Sequence, residues 1–196
     1  MIGKTCRRNA PMLKLTSISV KGFKNLDIKL LNFPPEGNIL VMGKNESGKS
    51  TLFEAIYLAL AGDLLVKKER GNIDAIGYTS EAANITLRFQ KNGRDCSINR
   101  QIIRGGNGST DNPIILKVNI GTPEEQVWDS NDIGINAVKD HVQEFLGFDG
   151  DILRNSSFVE QKGLDGFIET GKRKKKEIIN KLLNLENFSI LKKQYK

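Results

Sequence analysis

The chain has 196 residues, two cysteines, one histidine and a formal net charge of +7. That length supports one substantial core with an appendage; a lone His141 excludes a multi-histidine metal site, and Cys6 and Cys96, far apart and without C-x-x-C spacing, suggest neither a zinc site nor a disulfide framework. No apolar run approaches a bilayer span and no signal-peptide pattern opens the chain, so a soluble, cytoplasmic protein without a membrane partner is expected, and its charge favours a polyanion.

Residues 1–11 are polar, end at Pro11 and read as a flexible extension. Leu13, Leu15, Ile18 and Val20 predict a strand with a break near Thr16-Ser17 and a turn at Lys21-Gly22. Leu26, Ile28, Leu30 and Leu31 predict a second strand. Pro34-Pro35-Glu36-Gly37 then turns the chain into Ile39-Leu40-Val41-Met42, an apolar run that reads as a buried strand.

The next segment carries the chemistry. Gly43-Lys44-Asn45-Glu46-Ser47-Gly48-Lys49-Ser50-Thr51 fits G-x-x-x-x-G-K-[ST], and Leu52–Leu60 after it reads as a helix. In this context backbone N–H groups cradle the α- and β-phosphates of a nucleotide and the helix N-terminus adds its positive dipole end. Lys49 reaches the β/γ oxygens, and Ser50 holds Mg²⁺ through its hydroxyl. Asn45, Glu46, Ser47, Gly48 and Thr51 complete the binding loop. Glu46 stands where many such loops carry Gly, and an acid beside a triphosphate must point outward.

After the helix, residues 62–82 are charged and glycine-containing, with Lys67, Lys68 and Arg70 clustered. Ile85, Leu87 and Phe89 alternate with polar residues, Asn92-Gly93 supplies a tight hairpin, and Cys96, Ile98, Ile102 and Ile103 continue on the return strand. Gly105–Ser109 is a loop and Ile114–Ile120 a further strand, so an antiparallel lobe follows the phosphate-loop helix. Ile135, Val138, Val142, Phe145 and Leu146 fall at helical spacing up to Gly147. Trp128 is an anchor near that helix, and His141 within it a solvated or capping side chain. Residues 171–196 open with Lys172-Arg173-Lys174-Lys175-Lys176 and space Ile178, Ile179, Leu182, Leu183, Leu185 and Phe188 as an amphipathic helix, with no capping signal at its end, so the chain reads as cut, not finished.

The order of these segments resembles a known family. Ile18-Ser19-Val20-Lys21-Gly22-Phe23-Lys24-Asn25, the phosphate loop, the β-hairpins and Ser157-Phe158-Val159-Glu160-Gln161 resemble the N-terminal half of the SMC-like ABC ATPases. Leu183-Asn184-Leu185-Glu186-Asn187-Phe188 is closer to the double-strand-break repair ATPases than to the chromosome-condensing members, which carry an E-A-A-G element there. The resemblance implies that Gln161 coordinates Mg²⁺ and positions the attacking water, and that Lys24, where the family usually has Arg, and Asn25 approach the nucleotide phosphates. It implies an α/β ABC-type head: residues 12–170 as its N-terminal half, with an antiparallel β lobe, and residues 171–196 as a helix entering a coiled coil. It further implies ATP and Mg²⁺ as ligands and a homodimer closed over ATP. The remaining implied partners are the head's own C-terminal half, DNA and a repair nuclease, in a nucleoid-associated setting.

The chain lacks the apolar run into Asp-Glu that would polarise water, and an S-G-G-type signature, so the fragment alone is expected to be inactive. A phosphate-loop kinase would need an acidic base and an arginine lid where this chain has hairpins. A small GTPase would need N-K-x-D to accompany Asp74-Ala75-Ile76-Gly77. A chromosome-condensing head and a non-catalytic nucleotide-dependent clamp are the remaining alternatives.

Overall fold

Alternation along the strands sets the architecture seen in a computed structural model, which describes residues 13–65, 71–106, 109–119 and 125–156. In β3 (Ala82–Lys91), Ala83, Ile85, Leu87 and Phe89 are buried while Arg88 and Gln90 are exposed. β4 (Arg94–Arg104) returns through Asn92-Gly93, both at positive φ (52° and 77°) as the tight hairpin requires. With β1 (Leu13–Phe23), β2 (Leu26–Asn32), β5 (Thr110–Asp111), β6 (Ile114–Asn119) and β7 (Glu125–Asp129), these form one antiparallel sheet ordered β2-β1-β3-β4-β6-β7, β5 pairing with β4.

One face of this sheet carries the core. Ile18, Val20, Ile85, Leu87, Ile98, Leu116 and Val118 are buried under α1 (Lys49–Ala61) and α3 (Ile135–Leu146). Each such side chain, fully buried, contributes about 1.5–3 kcal/mol. Of the five positions at helical spacing, α3 buries Val138, Val142 and Leu146, while Ile135 and Phe145 are partly buried against the core; the helix ends at Gly147 in the left-handed conformation. Trp128 on β7 packs against the core, its ring centroid 5.8 Å from that of the exposed His141. α1 differs: every residue from Ala55 to Ala61 is buried, so its second half is enclosed, between the sheet and α4 (Gly150–Ser156). The short α2 (Ser130–Ile133) is capped by Asp129, whose carboxylate accepts from the Asn131 N–H. None of the helices described is long and apolar enough to cross a membrane.

Three local expectations are corrected. β1 is continuous, and the break foreseen at Thr16-Ser17 is a bulge between Leu15 and Ser17. The turn foreseen at Lys21-Gly22 comes at Lys24-Asn25, because Gly22, at φ 67°, is absorbed inside the strand by a second irregularity. A Cβ at Gly22 would lie 2.4 Å from the Ala82 carbonyl, so only glycine fits. Most consequentially, Ile39–Met42 is not a buried strand: residues 38–43 form no ladder, and Ile39, Leu40 and Met42 are 52%, 79% and 80% exposed. A strand needs neighbours for its N–H and C=O groups, and none of the described strands lies beside it.

The extension 1–11, the cluster Lys67, Lys68 and Arg70, the segment bearing Gln161 and the helix expected over 171–196 lie outside the described residues.

Candidate nucleotide site

The site is built where an exposed loop meets a buried helix. Gly48, at φ 88°, is the N-cap of α1 and offers no side-chain hydrogen bond to the first helical N–H groups. Those groups have no intrahelical acceptor. Behind them runs an axis of aligned peptide dipoles whose far end is sealed in the core, so the exposed end is a receptor for anionic oxygen. A Cβ at Gly43 would lie 2.6 Å from Ser47 Oγ and would make that exposed hydroxyl turn away.

Lys49 folds back over this loop. Its Nζ donates to the carbonyls of Gly43 at 2.9 Å and Lys44 at 2.6 Å, which holds the ammonium at the loop's rim. Asn45, Glu46, Ser47 and Ser50 are exposed, Thr51 partly so. The Ser50 hydroxyl stands at the start of the helix, and no cluster of three metal-binding side chains occurs among the described residues. That donor set fits Mg²⁺ held by one hydroxyl together with phosphate oxygens better than an all-protein cage. Glu46, at φ 65°, occupies a left-handed conformation that costs a non-glycine residue about 1–2 kcal/mol.

The turn between β1 and β2 abuts the loop. Asn25 Nδ2 donates to the Glu46 carbonyl at 2.9 Å, and Asn25 Oδ1 accepts from Thr51 Oγ1 at 3.1 Å. Leu26 Cδ1 lies 3.0 Å from where a Gly48 Cβ would stand. Lys24, at φ 52°, places its ammonium on the Glu54 carboxylate, with both side chains largely shielded (17% and 16% exposed) and the Phe23 ring centroid 5.7 Å away. Lys24 therefore has a carboxylate partner one helical turn beyond Ser50. Sequence reasoning missed Glu54, although its i+4 spacing from Ser50 puts both on one side of α1.

An apolar groove of ≈ 320 Å³ flanks the loop, lined by Leu13, Leu15, Phe33, Ile39, Val41, Phe53 and neighbouring residues. At the opposite end of α1, Arg100 reaches up from β4, its Nε donating to the Ala59 carbonyl at 2.6 Å.

The structure thus brings Asn25 onto the loop at Glu46 and Thr51, while the Lys24 ammonium is held on Glu54; Gln161 lies outside the described residues.

A family model described as an AAA domain matches residues 14–196. Among curated proteins, the chain is similar to the DNA double-strand break repair Rad50 ATPase of Halobacterium salinarum, 26% identical over 173 residues, 88% of this chain and 18% of that protein. It is also similar to the DNA double-strand break repair Rad50 ATPase of Methanocaldococcus jannaschii, 29% identical over 175 residues, 89% of this chain and 16% of that protein. The chain spans less than a fifth of the length of either relative. A solved structure of the recombination mediator protein RecF with ATP is similar at 27% identity and a TM-score of 0.46, covering 58% of this chain and 28% of that one.

Proposed function

We propose that this chain, which belongs to the AAA domain family and has its P-loop NTPase fold with an antiparallel sheet, is the ATP-binding N-terminal half of a DNA double-strand-break repair ATPase head. The observation that carries this is the pairing of a complete phosphate loop with an incomplete sheet around it. Ile39–Met42 is apolar and belongs to no described strand, its backbone is unpaired among the described residues, and it leads directly into Gly43. Leaving such side chains in water forgoes about 1.5–3 kcal/mol each. A second polypeptide segment that adds strands beside it would recover that energy and wall the nucleotide site. The small share of each repair ATPase that the chain covers supports the same reading.

In the completed head, the loop amides and the α1 N-terminus bind the phosphates of ATP. Lys49 exchanges its loop carbonyls for β/γ oxygens, which neutralises charge as the bond to the terminal phosphoryl group lengthens. Mg²⁺ would be held by Ser50 and Gln161 and would offset the phosphate charge. Gln161 orients the attacking water. Asn45, Glu46, Ser47, Gly48 and Thr51 shape the loop, and Lys24 lies beside it. Two heads close over ATP as a homodimer, and closure governs access to DNA and to a partner nuclease. Residues 12–170 form the half-head, 171–196 lead into a coiled coil and 1–11 precede it, in a cytoplasmic, nucleoid-associated protein.

The test is co-expression with a C-terminal half carrying the acidic and signature elements. Magnesium-dependent ATP hydrolysis should appear only in the two-part head and vanish with Lys49→Ala. Steady turnover by the 196-residue chain alone, lost in the same variant, would overturn the half-head in favour of a kinase-like enzyme. Tight binding without turnover in the two-part head would assign a nucleotide-dependent clamp.

A further inference from the structure

We propose that Asn25 is a positioning residue that clasps the phosphate loop from outside, and is not itself a nucleotide contact; the inference rests on the nucleotide-binding reading above. Both ends of its amide are engaged, one N–H as a donor and Oδ1 as an acceptor. The Glu46 carbonyl can only accept, so the group facing it must be the Nδ2 donor, and the Thr51 hydroxyl facing Oδ1 must donate. The orientation of the amide is therefore dictated by its partners.

These two bonds straddle the functional part of the loop. Glu46 stands before Gly48 and Thr51 in the first turn of α1, so the clasp spans Ser47, Gly48, Lys49 and Ser50 and sets the separation of its ends. The Glu46 end is the one that needs holding, because its backbone is left-handed without being glycine. Leu26 closes on Gly48 from the same turn, and a side chain at Gly48 would displace it. The turn is fixed in its own right: the Lys24 N–H donates to the Ala75 carbonyl at 2.8 Å, and its ammonium is bound to Glu54. A rigid hairpin thus transmits its position to the loop through one amide.

The experiment measures the affinity of the two-part head for fluorescent ADP and ATP, with the nucleotide-free melting temperature of each variant as control. Asn25→Ala, which removes both clasp bonds and no nucleotide contact, should weaken both nucleotides by about tenfold, because the loop is no longer preorganised. Thr51→Val should weaken them less, Thr51→Ser should restore affinity, and Asn25→Ala with Thr51→Val should be no worse than Asn25→Ala. Glu46→Gly, which removes the left-handed penalty, should recover affinity in the Asn25→Ala background. Unchanged affinity in a folded Asn25→Ala, or losses at Asn25 and Thr51 that multiply as independent contacts, would overturn the clasp. If wild type itself binds no nucleotide, the half-head reading fails instead. The clasp is then decided by the backbone amide resonances of Gly48 and Lys49 in the nucleotide-free chain, which must move in Asn25→Ala and return with Glu46→Gly; if they do not move, the clasp is refuted.

Discussion

The Nε of Arg100 on β4 donates to the carbonyl of Ala59 in the last turn of α1, at 2.6 Å. That carbonyl is one of the orphan acceptors at a helix C-terminus, and the cation stands at the negative end of the helix dipole. Arg100 is 5% exposed and its Nη2 has no partner among the described residues, so the contact carries a desolvation cost that holds its pKa down to about 10, the Asp63 carboxylate opposing the shift. Arg100→Ala should lower unfolding free energy by about 2–4 kcal/mol, from an orphaned carbonyl and a cavity. Arg100→Met should cost less, about 1 kcal/mol, since it fills the volume and removes a partly unpaired buried charge. Urea unfolding decides, and equal losses in the two variants would refute this account.

Gly62 closes the same end of α1 at φ 82°, and a Cβ there would sit 3.1 Å from the Arg100 guanidinium. Gly62→Ala should therefore cost about 1–2 kcal/mol from backbone strain alone. The cost should be smaller when combined with Arg100→Met, because the crowded group is gone. Additive losses in chemical denaturation would show that the crowding is absorbed elsewhere.

Tyr57 couples α1 to α4 through a hydroxyl that donates to the Gly150 carbonyl at 3.1 Å. Tyr57→Phe should cost about 0.5–1.5 kcal/mol at neutral pH. Burial, first, and the Asp63, Asp151 and Asp149 carboxylates raise the phenol above 10.0, while Arg154 lowers it. The folded state then holds the phenolic proton more tightly than the unfolded state, so this stability is complete below pH 10 and is lost as pH rises through the folded value. Thermal melts between pH 8 and 11 should show a shallower alkaline decline in Tyr57→Phe than in wild type. Parallel curves would mean that the phenol does not contribute.

Leu40 and Met42 should matter to assembly and not to the described fold, because both are exposed and flank half-buried Val41. Leu40→Asp with Met42→Asp is expected to leave the melting temperature of the chain unchanged, to improve its solubility, and to abolish co-purification with the C-terminal half. Undiminished co-purification would place the partner on another surface.

The two basic clusters outside the described residues are candidates for the DNA backbone. Lys172→Glu, Lys174→Glu and Lys175→Glu together should weaken duplex binding by the two-part head and flatten its salt dependence, by a little under one unit of slope per lost phosphate contact. Nucleotide affinity should not move. Unaltered DNA binding would leave Lys67, Lys68 and Arg70 as the remaining candidates.

Local patterns determined much of this protein. The phosphate loop, α1, the β3–β4 hairpin at Asn92-Gly93 and the α3 stripe were all legible, because each depends on near neighbours: a periodicity, a cap, a pair of residues at positive φ. Residues far apart in the chain decided the rest. An apolar run such as Ile39–Met42 looks the same whether or not a neighbouring strand exists, since burial belongs to the partner as much as to the run. The resemblance singles out Asn25, but whether its amide serves a ligand or the Glu46 and Thr51 groups depends on how the hairpin docks on the loop. Nothing in the sequence singles out Arg100. Only packing of β4 against the enclosed end of α1 made it a buried cap, because a hydrogen bond between residues 41 apart has no signature in either segment alone.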